Sequence, residues 1–284
     1  MDTVKVKSLQ NSWRFFFFAF GFTWLAWSPG ILDSLGLINL PVPFIVFFFI
    51  GTWGPFLAAT LVNYQDGGWK NVKDFWKRGF DFNFPARWLL IIVIISLLVS
   101  AVPLGLYMLF GGEGPKESIL FQPWMIVPVF LTYFFTGGGN EEWGWRGFAL
   151  DRFQERWNPT IASIVLGIIW GCWHIPLFFI EGTGQSHMSL IIFIVATPGL
   201  SILHTLVYNK TEKNLLAVWL FHAMLGTAWE TFPIVQPQIS GYKNMYIYDF
   251  LAVTILAILV LVVEGTLLGY KKESVLGEST QIAQ

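Results

Sequence analysis

The sequence predicts an all-α, polytopic membrane protein, with about eight transmembrane helices in one bundle around a polar intramembrane cavity. Three observations predict it. Of 284 residues, 55% are hydrophobic and only 12% are charged, about half the charged share of a soluble domain. Apolar runs of about 20 residues, long enough to cross the hydrocarbon of a bilayer, recur along the whole chain. Finally, fourteen of the seventeen Lys and Arg residues fall on one side of those runs.

The runs cover roughly 13–31, 44–63, 88–110, 123–148, 160–180, 188–208, 215–231 and 247–270. The first follows Lys5, Lys7 and Arg14, as a signal peptide would. It is longer than an ordinary h-region, contains Pro29 and lacks a small-residue cleavage site, so an uncleaved helix is expected. Asn158-Pro159 separates the fourth run from the fifth, and Glu181-Gly182-Thr183-Gly184 the fifth from the sixth, both in turn-forming chemistry. Between the second and third runs, 68–81 interleaves Trp69, Val72, Phe75, Trp76 and Phe80 with basic residues. That pattern suits an interfacial amphipathic helix and equally a basic loop that only sets topology.

The basic residues orient the bundle. Lys5, Lys7 and Arg14 precede the first run; Lys70, Lys73, Lys77, Arg78 and Arg87 lie between the second and third. Arg152 and Arg156, Lys210 and Lys213, and Lys271 and Lys272 follow the fourth, sixth and eighth. Lys116 and Lys243 fall on the other side, and Arg146 stays inside a run. Both termini are therefore expected to be cytoplasmic, in an integral protein of the plasma membrane. Residues 1–12 form the cytoplasmic N-terminus, 13–270 a single bundle with its motif-bearing core at 123–226, and 271–284 a disordered polar tail. A net charge of −1 argues against a nucleic-acid partner, which needs a basic excess. The lone Cys172 excludes an internal disulfide.

The fourth run ends in Asn140-Glu141-Glu142-Trp143-Gly144-Trp145-Arg146. Charges at membrane depth are costly and mark function by default. Glu142 and Arg146 stand i,i+4, the spacing of an ion pair along a helix, and the guanidinium is suited to carboxylates. This leaves Glu141 free to act as a general base. The plainer alternative is two interfacial acids neutralised by Arg146. If the fourth and fifth runs form a hairpin turning near Trp157-Asn158, Glu141 and His174 each lie about sixteen positions from the turn. They then sit at equal depth, about 24 Å along each helix, in the cytoplasmic part of the bilayer. Trp170, one turn before His174, is placed to pack on the imidazole. His222 lies on the seventh run, about nine residues from Lys213. His204, on the sixth, is expected to be structural, an interhelical hydrogen-bond partner. His187 is assigned to an external loop. Cys172 is offset from His174 by about 200° around a helix, so a Cys–His nucleophile is not expected. Gly137-Gly138-Gly139 permits local unwinding or tight helix packing, and the residues leave both open.

Three of these segments resemble a known family. Glu141-Glu142-x-x-x-Arg146, Trp170-x-x-x-His174 (where Phe-x-x-x-His is usual) and Phe221-His222-Ala223 are similar to the three signatures of the CPBP family. These are the CAAX-processing and bacteriocin-processing membrane proteases, also called the Abi family, which include the type II CAAX prenyl endopeptidases. The similarity runs from about Pro123 to Gly226. It implies an intramembrane endopeptidase acting on membrane-associated peptide or protein substrates, by CAAX-like or leader-peptide processing. By resemblance, Glu141 activates the attacking water, His174 holds that water, His222 stabilises the oxyanion and Arg146 organises the acidic motif. Two mechanisms fit: Zn²⁺ held by Glu141, His174 and His222, or Glu141 and His174 polarising water without a metal. No His-Glu-x-x-His is present, and the metal-free form is favoured. The family commonly shows His-Ala-x-x-Asn, with the Asn a second oxyanion donor; Gly226 stands there in this chain. Losing one such donor costs about 10²–10³ in rate. A water beside Gly226, or His204 from the neighbouring helix, are the candidate substitutes. Gly226 also favours the main rival reading, a non-catalytic scaffold, immunity or regulatory protein. A transporter or proton relay comes third, because paired broken helices in matching halves are absent.

Overall fold

The structure, a computed structural model, describes residues 2–233 and 245–270. Lys243, Lys271, Lys272 and the tail 271–284 lie outside the described residues. Those described are helical, with no strand among them. The main helices are α1 (Asp2–Ser34), α2 (Phe44–Thr52), α3 (Gly54–Lys77), α4 (Arg87–Leu109), α5 (Ile126–Tyr133), α6 (Gly139–Gly144), α7 (Asp151–Gln154), α8 (Pro159–Trp173), α9 (Leu190–Lys210), α10 (Leu215–Thr231) and α11 (Met245–Glu264). The sequence explains several boundaries. Asn158 caps α8 by accepting from the Ile161 amide at 2.9 Å, with Pro159 at the first helical position, where its missing N–H costs nothing. Asn214 caps α10 in the same way through the Ala217 amide.

Among the described residues, six helical stretches are long and apolar enough to cross a membrane: Ser12–Ser34, Phe44–Phe80, Arg87–Leu109, Pro159–Phe179, Leu190–Lys210 and Ile247–Glu264. The expected count was eight. Of the other two, α10 occupies the expected 215–231 but spans only 17 residues. The run 123–148 is not one regular helix. It passes through α5, a π-helical turn Phe134–Gly138, α6 and a second π-helical turn Trp145–Leu150. The second expected run is also broken: α2 ends at Trp53, and α3 begins anew with Gly54-Pro55. Lipid-facing positions are apolar, among them Leu25, Leu90, Ile191 and Val263, all more than 60% exposed.

At Gly67-Gly68 the chain leaves α-helical geometry, Gly68 taking φ 64° and ψ −161°, a region open almost only to glycine. The kink redirects α3 along 69–77, the stretch expected to be amphipathic. Val72 and Phe75 turn inward, whereas Trp69 is exposed. At its end Arg78 donates to the Gly147 carbonyl (2.7 Å), to Asp151 (3.0 Å) and to the Tyr208 hydroxyl. The first of these bonds ties the end of α3 to a carbonyl of the second π-helical turn. A cavity of about 510 Å³ opens here, lined by Asn63, Asn71, Arg78, Gly147, Asp151 and Arg152 among others. None of Glu141, His174 and His222 lines it.

Small residues bring the helices together. A Cβ on Gly167 of α8 would lie 2.5 Å from Pro198 Cα of α9, and one on Gly144 of α6 2.5–2.7 Å from Pro55 atoms that include its backbone. These are close backbone approaches of the small-residue kind. Gly144→Ala should therefore destabilise the detergent-solubilised protein by about 1–3 kcal/mol. Gly21→Ala, whose Cβ would meet nothing within 4 Å, should cost nothing, and thermal melting of the two variants side by side checks this.

Candidate active site

The two π-helical turns flank α6, so the chain changes register on entering and on leaving the acidic motif. All six α6 residues are buried. Glu141 is 5% exposed, Glu142 1% and Arg146 0%. Charges so enclosed must find partners, and each does. Asn140, just before them, donates to the Thr52 hydroxyl at the end of α2 (2.8 Å). Glu142 Oε1 accepts from Arg146 Nη1 at 2.9 Å and lies 2.7 Å from His222 Nδ1. The i,i+4 pair read from the sequence is thus present, and it also reaches a third helix. Because a carboxylate only accepts, His222 presents Nδ1–H to Glu142 and turns Nε2 outward.

Glu141 is held differently. Its Oε2 accepts from Trp170 Nε1 at 2.9 Å and from Trp145 Nε1 at 3.3 Å. His174 caps the C-terminus of α8, with Nδ1 2.8 Å from the Trp170 carbonyl. A carbonyl also only accepts, so Nδ1 carries the proton and Nε2 is an acceptor. Trp170 is therefore the common neighbour of Glu141 and His174: its indole serves one and its carbonyl the other. The Arg146 guanidinium lies over the same indole, 4.8 Å from the ring centre, and His222 meets it edge-on at 5.7 Å.

His204 is fully buried, with Nδ1 2.8 Å from the Leu200 carbonyl and Nε2 4.0 Å from Glu142 Oε1. It sits 4.5 Å from the Phe221 ring, on the sealed side of Glu142. The cluster has an accessible edge as well, since His174 is half-buried and the His222 side chain is 13% exposed. His187 lies apart, in the 3₁₀ turn Gln185–His187.

Glu142, His204 and His222 can hold a metal, their ligand atoms lying within 4.8 Å of one another, and two imidazoles with a carboxylate suit zinc. This group shares only His222 with the set expected from sequence, Glu141, His174 and His222. In the arrangement present, Glu142 Oε1 is already divided between a guanidinium and an imidazole. Its 2.7 Å separation from His222 Nδ1 is a hydrogen-bond distance, shorter than the roughly 3.3 Å between two ligands on a tetrahedral zinc. The contact is thus a hydrogen bond within an ion cluster, and a metal there would need Glu142 and His222 to move slightly apart.

Around Gly226 the structure corrects an expectation. The space beside this glycine does not admit a water: a Cβ there would lie 2.4–2.7 Å from Cδ1, Cγ and Cε1 of Tyr133. The ring lies on the α10 backbone, and its hydroxyl donates to Glu230 Oε1 at 2.8 Å. Gly138 and Gly139 resolve the two readings of the glycine run by serving both. They fall at the junction of a π-helical turn and α6, and a Cβ on either would meet Trp219 at 2.7 Å or less. Sequence reasoning missed Trp145, although its i+4 offset from Glu141 was legible. It also missed the Glu142–His222 link and the Tyr133 ring, for which no local signal existed.

The fold and this cluster define a class: a polytopic membrane protein with a buried glutamate–arginine–histidine centre built from four helical segments. Residues 123–228 match the family described as Type II CAAX prenyl endopeptidase Rce1-like. A protein of Methanococcus maripaludis named CAAX prenyl protease 2 is 27% identical over 244 residues, covering 80% of this chain and 86% of that one. Residues 123–228 are thus similar to the Rce1-like type II CAAX prenyl endopeptidases, over the same segment that carries the motif resemblance.

Replacing Gly226 by Asn should drive the new side chain into the Tyr133 ring. Gly226→Asn alone is expected to lower the melting temperature through about 1–3 kcal/mol of overpacking. Adding Tyr133→Ala should recover much of that loss, which a double-mutant cycle in detergent measures.

Proposed function

We propose that this protein is an intramembrane endopeptidase that hydrolyses a peptide bond in a membrane-associated peptide, using water activated by Glu141 and His174. The observation that carries the reading is the position of Trp170. By engaging Glu141 Oε2 and His174 Nδ1, it leaves Oε1 of the one and Nε2 of the other as the free acceptors. A water donating one hydrogen to each has its lone pair directed away from both, toward a substrate carbonyl. Attack transfers the first hydrogen to Glu141 as a proton, forms the C–O bond and places negative charge on the carbonyl oxygen. Collapse breaks the C–N bond, and Glu141 returns its proton to the leaving amine.

His222 is the oxyanion donor in this scheme. With Nδ1–H given to Glu142, donation from Nε2 requires the doubly protonated ring. The ledger then closes: two carboxylates, one guanidinium and one imidazolium sum to zero charge, as a buried site demands. Glu142 and Arg146 act by holding His222 rather than by touching substrate. Tyr133, with its ring on Gly226, walls the site where the usual Asn would stand.

For substrates, the Rce1-like domain and the relative's name support prenylated C-terminal peptides of the CAAX type, with leader-peptide processing as the second possibility. Residues 1–12 and 271–284 are assigned to the cytoplasm, which suits a substrate anchored in the inner leaflet of the plasma membrane. Cysteine-accessibility labelling at either terminus in intact cells should accordingly require permeabilisation. The rival, a non-catalytic scaffold, retains the support of Gly226.

One comparison separates them. Purified protein in liposomes should cleave a farnesylated CAAX-type peptide, and Glu141→Gln should reduce the rate by at least about 10² while the protein keeps its folded yield. Equal turnover by the variant, or none by the wild type, sinks the peptidase reading. Metal analysis of the active preparation, before and after chelation, tests the metal-free form.

A further inference from the structure

We propose that Trp145 and Trp170 form a two-indole clamp that dedicates Glu141 to its task, making both tryptophans positioning residues for the reaction. The inference rests on the reading of Glu141 as the base. The geometry is specific. The indoles come from different helical segments, one following α6 and one in α8, and both N–H groups converge on the same oxygen, Oε2, at 3.3 and 2.9 Å. A carboxylate with two equivalent oxygens can rotate and present either one. With Oε2 doubly occupied, rotation would break two charge-assisted hydrogen bonds to a carboxylate only 5% exposed. Those bonds are stronger than neutral ones, so the rotamer is fixed and Oε1 alone is offered to a water.

Trp170 does a second thing at the same time. Its carbonyl, freed at the C-terminal end of α8, takes the His174 Nδ1 proton and so selects the tautomer whose Nε2 accepts. One residue sets the orientation of both groups that would hold the water. A phenylalanine at 170 would fill much the same volume and keep the carbonyl, yet could donate nothing to Glu141. Packing and hydrogen bonding are therefore separable at this position.

Trp170→Phe should lower kcat for the farnesylated peptide by roughly 10- to 100-fold, the value of one hydrogen bond to a charged group, with KM within about twofold and the folded yield retained. Trp145→Phe, removing the longer bond, should cost less, and the pair more than either alone. Replacing Trp170 by β-(3-benzothienyl)alanine keeps the bicyclic shape and deletes only the N–H; it should reproduce the loss seen with Phe, which a purely packing role would not. A readout independent of turnover comes from ¹⁵N-indole labelling, with fifteen tryptophans in the chain. Glu141→Gln should move two indole resonances, the same two that vanish in Trp145→Phe and Trp170→Phe. Full kcat in both Trp170 variants, or fifteen indole signals indifferent to Glu141→Gln, overturns the clamp. If the two signals respond but no peptide is cleaved even by wild type, the clamp stands and the peptidase reading fails. If Glu141→Gln abolishes cleavage while the Trp170 variants keep full kcat, the reverse holds.

Discussion

Arg146 is the one cation the sequence commits to the interior of the bundle, and the centre is organised around neutralising it. A guanidinium with no exposed surface is tolerable only beside a carboxylate that is itself well held. Glu142 supplies that carboxylate one turn earlier, and the pair then carries unspent acceptor capacity. His222 uses it from α10, which ties the acidic motif to a helix some eighty residues away in sequence. Removing any one of the three would leave the others as uncompensated charge or an unsatisfied donor in a dry core. The same dependence explains why all of α6 is inside, although it is the most polar stretch of its run.

Tryptophan is how this chain carries polarity through an apolar bundle. An indole offers a large hydrophobic surface and a single N–H that usually finds an acceptor when buried, as several do here, though not Trp88, Trp143 or Trp173 among the described residues. Trp27 gives its N–H to the Phe48 carbonyl and Trp24 to that of Trp173, tying α1 to α2 and to the end of α8. Trp219 donates to the carbonyl of Phe134, at the start of the first π-helical turn, and stacks on the Phe134 ring at 4.4 Å. The Trp219 indole and, at the second π-helical turn, the Arg78 guanidinium each add a side-chain donor to a carbonyl of the irregular segment. The irregular helix at the centre is thus stabilised from outside itself.

Much of this was legible in the sequence because membrane spans and caps are local properties. Hydropathy placed α4, α9 and α10 to within a few residues, Asn158-Pro159 marked the start of α8, and the spacing of Glu142 and Arg146 announced their pair. The equal-depth argument put Glu141 and His174 on facing segments, and they do share Trp170. The rest was hidden for physical reasons. Whether 123–148 is one helix or a helix with two π-helical turns depends on partners from elsewhere, Trp219 and Arg78, which no window of sequence contains. The break at Trp53 before Gly54-Pro55 is masked by the uniform apolarity on either side. The fate of the space beside Gly226 depends on Tyr133, ninety-three positions earlier, and a glycine alone reads equally as emptiness or as contact.

The centre is lopsided, and this asymmetry separates the surroundings of two adjacent glutamates. Glu142, Arg146 and His204 lie on the sealed side, where Glu142 Oε1 is fully committed to a guanidinium and an imidazole. Its other oxygen is enclosed, without a partner among the described residues. Glu141 lies one residue back, rotated by about 100°, and its partners are two neutral N–H groups gathered on a single oxygen. On the proposed reading the base must keep one oxygen uncommitted and be reachable, whereas the structural counter-ion need do neither. Consecutive glutamates on one helical turn meet both requirements because their side chains cannot share a face. Doubling the acid in this motif is therefore a geometric solution, one carboxylate holding the charge balance so that the other is free of it.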